Sequence, residues 1–380
     1  VKLADVCDAV VDCEHKTAPT DPTGKFFAVG TPAMRQNVID YSQARRIGYE
    51  TFRAWTRRLQ PQHGDLLLAR EAPVGPVVSI PREENVAPGQ RTVLLRPNAA
   101  MCESRFLFYY LAMPSTQGRL NDLAAGSTVA HLNVADVRDF EVELPDLATQ
   151  TAIADVLGAL DDKIAANERL VTALDSLVRT VVERSTQGET VRVGDVASLV
   201  SLKSNGGGPV VPYLGLEHLP RRRLWAQDSG LSSEVISQKS VFEEGDLLFG
   251  KLRPYFHKVV VAQHAGVCST DILVVRAIDE ELRGWMWAAL ASDDVVAAVT
   301  ASSTGTRMPR ASWGDLAEVQ VPWPGRSEAA RVSRQIESLN ARAAAAVAES
   351  RHLAATRDAL LPELMSGRLN VNGIAEGARE

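Results

Sequence analysis

The sequence predicts an α+β fold built twice over: two similar mixed domains, each followed by a long helix, with the two helices packed as an antiparallel coiled coil in a pseudo-twofold arrangement. Three observations predict it. The same order of signals occurs twice: an opening strand (Val1 to Val6; Val191 to Val196), a Gly-Asp-Leu-Leu turn (Gly64-Asp65; Gly245-Asp246), a Gly-Ser/Thr loop (Gly126-Ser127-Thr128; Gly305-Thr306), and a short strand ended by Pro145 or Pro322. Late anchors keep one spacing, since Gly126 to Gly305, Asp136 to Asp315 and Ile153 to Val332 are each 179 positions apart. Finally, Ile153, Leu157, Leu160, Ile164, Val171, Leu174, Val178 and Val181 recur at 4-3-4-3 spacing, the seam of a coiled coil.

Taken in order, residues 1–145 read as the first mixed domain. Phe26 to Val29, Gly64 to Ala69, Pro76 to Ile80 and Thr92 to Arg96 are short apolar runs bounded by Gly and Pro, the mark of strands. Helical stretches near Ser42 to Leu59 and Glu103 to Leu111 interrupt them. Residues 146–188 form the first long helix, whose seam holds one polar residue, Asn167, placed to fix register or meet a partner. Residues 189–323 repeat the domain, with strands at Val210 to Leu216, Asp246 to Phe249, His257 to Ala262 and Asp271 to Arg276, and a helix from Glu280 to about Thr300. The second long helix, 324–368, continues the register through Val332, Ile336, Leu339, Ala343, Ala346, Ser350, Leu353, Arg357 and Leu360, and 369–380 is a tail. Neither helix has a face broad enough to stand alone, so the economical solution packs one seam on the other.

Composition narrows the function classes. At 380 residues with 45% hydrophobic and 23% charged residues, the chain has room for two ordinary cores. No apolar run of membrane-spanning length and no signal-peptide pattern occurs, which predicts a cytoplasmic protein. Four scattered cysteines predict reduced thiols. Cys7 and Cys13-Glu14-His15 lack the spacing of a zinc site, so no metal is expected. The net charge of −6 is unevenly spread: 141–189 holds ten acids and four bases, leaving the rest of the chain neutral with basic clusters at Arg45 to Arg58, Arg221 to Arg223 and Lys251 to Lys258. The domains can therefore meet phosphate. Phosphate-loop, dinucleotide, zinc-peptidase and nucleophile-elbow motifs are absent, as is the Asn/Asp-Pro-Pro-Tyr/Phe segment of amino-methyltransferases, so the chain is expected to catalyse nothing. The chain opens on Val1 directly at its first element, which suggests an unusual start or a few missing residues.

Gly126-Ser127-Thr128-Val129 with His131-Leu132, then Val142-Glu-Leu-Pro145-Asp-Leu-Ala-Thr-Gln150-Thr-Ala-Ile153, then Leu160-Asp161-Asp-Lys163-Ile164, resemble the proximal half of the specificity subunit of type I restriction-modification systems. Leu360-Leu361-Pro-Glu-Leu364 to Leu369 resembles that family's ending. The distal copy departs, with Glu328-Ala329 at the glutamine position and Asn340-Ala-Arg342 where Asp-x-Lys stands.

The resemblance implies two target-recognition domains, each reading one half of a bipartite, asymmetric site on double-stranded DNA. The helices would hold the two apart and dock two adenine-methyltransferase subunits, with translocating restriction subunits joining them. S-adenosylmethionine, ATP and Mg²⁺ would act on those partners and none on this chain. A type IIB-like system or a repeat-built scaffold that binds no DNA are the alternatives. A helix from Ala148 to Thr186 would be about 58 Å long, spanning roughly 17 base pairs.

Within this reading, sequence is read by side chains in irregular segments: Arg35, Gln36, Asn37, Arg70, Lys251, Arg253, Arg307 and Arg310. Arg45, Arg46, Arg57, Arg58 and Arg221, Arg222 and Arg223 are assigned to phosphate. Ser127, Thr128, Thr306 and His131, in and beside the Gly-Ser/Thr loops, complete the DNA-facing set. Gln150, Asp161, Lys163 and Asn167 are expected to meet the partner subunits.

Overall fold

The computed structural model describes the chain apart from residues 125–129, 186–187, 205–208, 235–236, 304–307 and 372–380. Two compact units are present, one made of Val1–Asp162 with Leu353–Glu380 and the other of Lys163–His352.

In the first unit, strands β1 (Cys7–Asp12), β2 (Leu66–Arg70), β3 (Val74–Ser79) and β4 (Thr92–Pro97) form an antiparallel sheet in the order β1-β4-β2-β3. The central strands β2 and β4 carry continuous apolar runs because both of their faces are buried, whereas the edge strand β1 includes Asp8 and Asp12 and is mostly half-exposed. Leu66, Leu68, Val93 and Leu95 face helix α1 (Ser104–Ala112) and the long-helix residues Ile153, Leu157, Leu361 and Leu364. The alternate residues Leu67, Ala69 and Leu94 face Val29, Met34 and Ile80 on the other side, as the two-residue period of a strand requires.

In the second unit, β5 (Ala197–Leu199), β6 (Leu247–Gly250), β7 (Val259–Val261) and β8 (Ile272–Ala277) pair in the same pattern, β5-β8-β6-β7. Helix α2 (Arg283–Leu290) occupies the place of α1, with Trp285 and Trp287 fully buried in the core.

The Gly-Asp-Leu-Leu repeat has a physical explanation. Gly64 and Gly245 turn the chain at φ +88 and +87, where a side chain would be strained. The aspartate that follows is buried and ties three things together. Asp65 accepts the Gln62 amide at 2.9 Å and the forked Arg96 guanidinium of β4 at 2.6 and 3.0 Å. Asp246 does the same with the Glu243 amide at 2.8 Å and Arg276 of β8 at 2.7 and 2.8 Å. The turn is thereby welded to the neighbouring strand.

The long helices run Leu147–Ser185 and Arg326–Met365. Within the second unit their segments are antiparallel, since Lys163 pairs with Glu349 and Asn167 bonds to Ala346 while the downstream Val171, Leu174 and Val178 share a core with the upstream Val332 and Ile336. In the first unit Arg357 reaches Asp161 at 2.7 Å. Most seam residues are buried, including the small Ala343 and Ala346, while Leu160, Ile164, Val181 and Leu339 are partly buried. An α+β fold whose two long helices pack together is thus what the residues build.

Several local readings differ. Val1 to Val6 does not form an opening strand: Leu3–Val6 is a single 3-10 turn whose Lys2 amide donates to Asp5 at 3.0 Å, and Val193–Val196 is likewise one helical turn. A short polar cap outweighs β-propensity in so brief a segment. Ser42 to Leu59 is helical only at Tyr49–Trp55, because Arg45–Ile47 pairs as a strand with Phe26–Val29. The helix expected from Glu280 breaks at Ser292, whose hydroxyl caps a second helix, Asp293–Ser302.

Candidate nucleic-acid interface

Two motifs that the sequence placed far apart meet at the same point of each unit. The exit of β2 runs beside the segment after the first Gly-Ser/Thr loop: Glu71 bridges His131 and the Leu132 amide donates to Arg70 O at 2.8 Å. In the second unit Leu252 bridges Arg310, the Arg253 amide donates to Pro309 O at 2.8 Å, and the Ala311 amide donates to Lys251 O at 3.0 Å. Arg70 and His131, and separately Lys251, Arg253 and Arg310, are therefore neighbours. At the turn that follows, Ala72 and Arg253 both adopt left-handed backbone, φ +50 and +51, ahead of Pro73 and Pro254.

The electrostatics of the two frames differ. In the first unit the cations are answered by acids. Arg70 is largely buried against Asp12 at 3.4 Å and donates to Leu132 O, and Arg57 and Arg58 lie 2.9 and 3.9 Å from Glu14. His15 also sits on Asp12 at 2.8 Å. The Cys13-Glu14-His15 segment is part of this ionic cluster. Among the described residues no group of three or more potential ligands could hold a metal ion.

At the matching point of the second unit, Lys203, Lys251 and Arg310 share the carboxylate of Asp271. Arg310 is 3.4 Å from Asp271, and burial, with Lys203 and Arg310 nearby, holds the Lys251 ammonium below its ordinary pKa. Burial, then Arg221, does the same to Lys258, whose ammonium donates to Leu216 O. The guanidinium groups of Arg221 and Arg253 lie 4.0 and 5.9 Å from the Phe256 ring, a cation–π arrangement that limits their motion. Tyr255 stands exposed at the tip. The sequence named Lys251, Arg253 and Arg310 but missed Lys203, whose signal is weak because it becomes a neighbour only through sheet pairing.

The remaining candidates are spread out. Arg35, Gln36 and Asn37 form the tip of a two-residue hairpin, Met34–Arg35 pairing with Val38–Ile39, with Gln36 and Asn37 at φ +50 and +59. Arg45 is exposed on a strand, and Arg46 covers the Phe27 ring at 5.4 Å. Arg222 Nη1 donates to both Asp293 oxygens at 2.8 and 2.9 Å, beside His257 at the end of the Arg253 turn, and Arg223 donates to Thr172 Oγ1 of the long helix at 2.5 Å. Ser127, Thr128, Thr306 and Arg307 lie outside the described residues.

On the long helices, the candidate partner-binding residues make internal contacts. Gln150 is buried, accepting the Glu103 amide at 2.9 Å and donating to Pro145 O and Met101 O. Asp161 accepts from Tyr109 Oη at 2.5 Å and from Arg357; burial and that hydrogen bond push the Tyr109 phenol well above its usual pKa. Asn167 donates to Ala346 O at 3.3 Å and to Glu349 at 2.8 Å, and Lys163 lies 3.0 Å from Glu349.

Comparison with known proteins places this arrangement. Residues 1–175 match the type I restriction modification DNA specificity domain. A curated relative, the EcoDI type I restriction enzyme specificity subunit of Escherichia coli, is 25% identical over 302 residues, 66% of this chain and 65% of the relative. The chain thus spans just under two thirds of that relative's length. Among solved structures, the type I restriction-modification S subunit from M. genitalium aligns over 96% of this chain and 95% of its own, at 15% identity and a TM-score of 0.60, which shows a shared fold. Among the described residues, no helix is long and apolar enough to cross a membrane.

Proposed function

We propose that this chain is a non-catalytic specificity subunit of the type I restriction-modification family, a reading that the domain match over residues 1–175 and the curated relative support, and that it reads the two halves of a bipartite DNA site, one with each unit. The observation that carries this reading is the repeated frame: in both units the exit of the Gly-Asp-Leu-Leu strand and the segment after the Gly-Ser/Thr loop lie side by side, bearing Arg70 and His131 in one and Lys251, Arg253 and Arg310 in the other. Cationic and polar side chains on irregular backbone beside a rigid sheet suit groove and phosphate contact.

Letters would be read by residues free to reach base edges. At the hairpin tip Arg35 and Gln36 are the best placed in the first unit, because a type I′-like turn projects them on a rigid ladder, while Asn37 accepts the Val77 amide at 3.2 Å and so braces the tip on the sheet. Exposed arginines such as Arg45 and Arg57 would position the backbone. Two methyltransferase subunits would dock on the outer faces of the long helices and supply adenine methylation with S-adenosylmethionine, and restriction subunits would add ATP- and Mg²⁺-dependent cleavage, all in the cytoplasm. A first long helix of 39 residues is about 58 Å long at ~1.5 Å per residue, and the unread gap between half-sites would follow that length.

Genome-wide adenine-methylation mapping with and without this gene tests the reading. The expected result is one bipartite motif with a fixed gap that vanishes with the gene. Persistence of every methylated motif in the deletion would refute it.

A further inference from the structure

The sequence assigned Lys251, Arg253 and Arg310 to base reading, yet their surroundings favour another role. We propose that the turn from Lys251 to Lys258 is a phosphate anchor, in which Lys251, Arg253 and Arg310 hold the duplex backbone at the half-site met by the second unit and read no base. This deepens the DNA-recognition reading above and rests on it.

Three observations carry the inference. The first is charge. Lys203, Lys251, Arg253, Lys258, Arg221 and Arg310 gather around Asp271 and Glu217, as the neighbours acting on Lys251 and Lys258 record, while Asp293 at the far end of the turn is engaged by Arg222 and His257. A diffuse excess of positive charge matches a polyanionic backbone, whereas a base edge asks for one planar fork with both arms free.

The second is how little freedom the cations have. The Arg253 Nε is buried with no hydrogen-bond partner among the described residues, its guanidinium lies near Phe256, and Arg310 leans on Asp271 at 3.4 Å. An unpaired buried N–H beside crowded cations is a cost that an incoming phosphate oxygen would offset.

The third is the frame itself. The left-handed residue before proline, and the bridge to the segment after the Gly-Ser/Thr loop, recur at Ala72 and Arg253. The two turns differ in that Ala72–Pro73 is a cis peptide, yet a left-handed residue and a bridge at the same place in two units that are to read different letters suit a positioning role. The second unit loads it with more cations than the Asp271 carboxylate can answer, whereas in the first Arg70 is answered by Asp12 and Arg91 by Glu71 at 3.2 Å.

The test uses the full chain with its methyltransferase subunits. Binding to a cognate duplex, and to one with the letters of this half-site shuffled, is measured across a salt series for wild type, Lys251→Gln, Arg253→Gln, Arg253→Lys and Arg310→Gln. Each glutamine variant is expected to weaken both duplexes by the same factor, on the order of tenfold, leaving the cognate-to-shuffled ratio unchanged and lowering the slope of log K against log salt by about 0.9. Arg253→Lys is expected to keep the wild-type slope, because a phosphate accepts a point charge; thermal unfolding of each variant shows whether it is folded. A loss confined to the cognate duplex, or a methylation map relaxed at one letter, would overturn the anchor in favour of base reading. Wild-type binding by all glutamine variants would overturn it outright. Failure of the wild-type complex to hold any duplex would instead sink the DNA-recognition reading on which the anchor rests.

Discussion

Asn167 offers the sharpest test of how the helix pair is specified. It is 4% exposed in an otherwise apolar seam and spends its amide on Ala346 O at 3.3 Å and Glu349 at 2.8 Å. Replacing it with leucine, near in volume, orphans little: the Ala346 carbonyl lies mid-helix and keeps its own helical acceptor role, and Glu349, about half exposed, retains Lys163 at 3.0 Å. A buried leucine in that position gains apolar burial worth about 1–2 kcal/mol. Asn167→Leu should therefore raise the urea midpoint of unfolding, whereas Asn167→Ala, which loses both bonds and leaves a gap beside small residues, should lower stability by about 1–2 kcal/mol.

The gain should come with a loss of uniqueness, because a polar seam residue penalises every register but one. Glu349 reports on the same contact. Its carboxyl is held below the ordinary value first by the Asn167 hydrogen bond and then by Lys163. A depressed folded pKa means that this contribution is present above the unfolded value and fades as pH falls through the folded one. In Asn167→Leu the Glu349 titration, followed by carboxyl NMR, should move back up toward the unfolded value. If Asn167→Leu were less stable than wild type by more than about 1 kcal/mol, the amide bonds would be net stabilising and the register argument would fail.

Three further outcomes are expected. Asp65→Ala strands the Arg96 fork and a turn amide, so it should cost about 3–5 kcal/mol in denaturant unfolding, while Asp246→Ala should cost less, because Arg276 is more exposed and keeps Glu243 at 3.0 Å; a change below about 1 kcal/mol for Asp65→Ala would mean that water replaces the carboxylate. At Gly284 an added Cβ would meet Ser333 O at 2.5 Å and Ser333 Cα at 2.9 Å, so Gly284→Ala should destabilise by about 1–3 kcal/mol, read as a lower thermal midpoint, while Gly118→Ala, with open space around it, should not. Adding one heptad to each long helix within the seam should lengthen the methylated gap by about three base pairs with both half-site words intact, as sequencing of methylated DNA would show.

How much was legible follows from where the information sits. The long helices were plain because their signal is periodic and repeated, and the seam pattern marks Ile153, Leu157, Val171, Leu174 and Val178, all buried, with Leu160 and Ile164 partly so. The doubled Gly-Asp-Leu-Leu turn was visible, but its reason was not: the arginine that completes it is about thirty positions away on a paired strand. The same limit hid the union of Lys251 and Arg253 with Arg310 and the addition of Lys203, since cross-strand neighbours leave no local trace in sequence. Short openings such as Leu3–Val6 failed because one turn of capped backbone is too brief for propensity to decide.

Asn167 and Ala346 are separated by 179 residues, the offset at which the chain repeats itself, so at this level a position touches its own copy. In a symmetric pair of half-length chains that level would confront a residue with its twin, and any substitution would be made twice. Joining the halves into one polypeptide removed that obligation. Here one copy keeps an amide and the other a methyl group, a pairing open only to a molecule that has stopped being its own mirror.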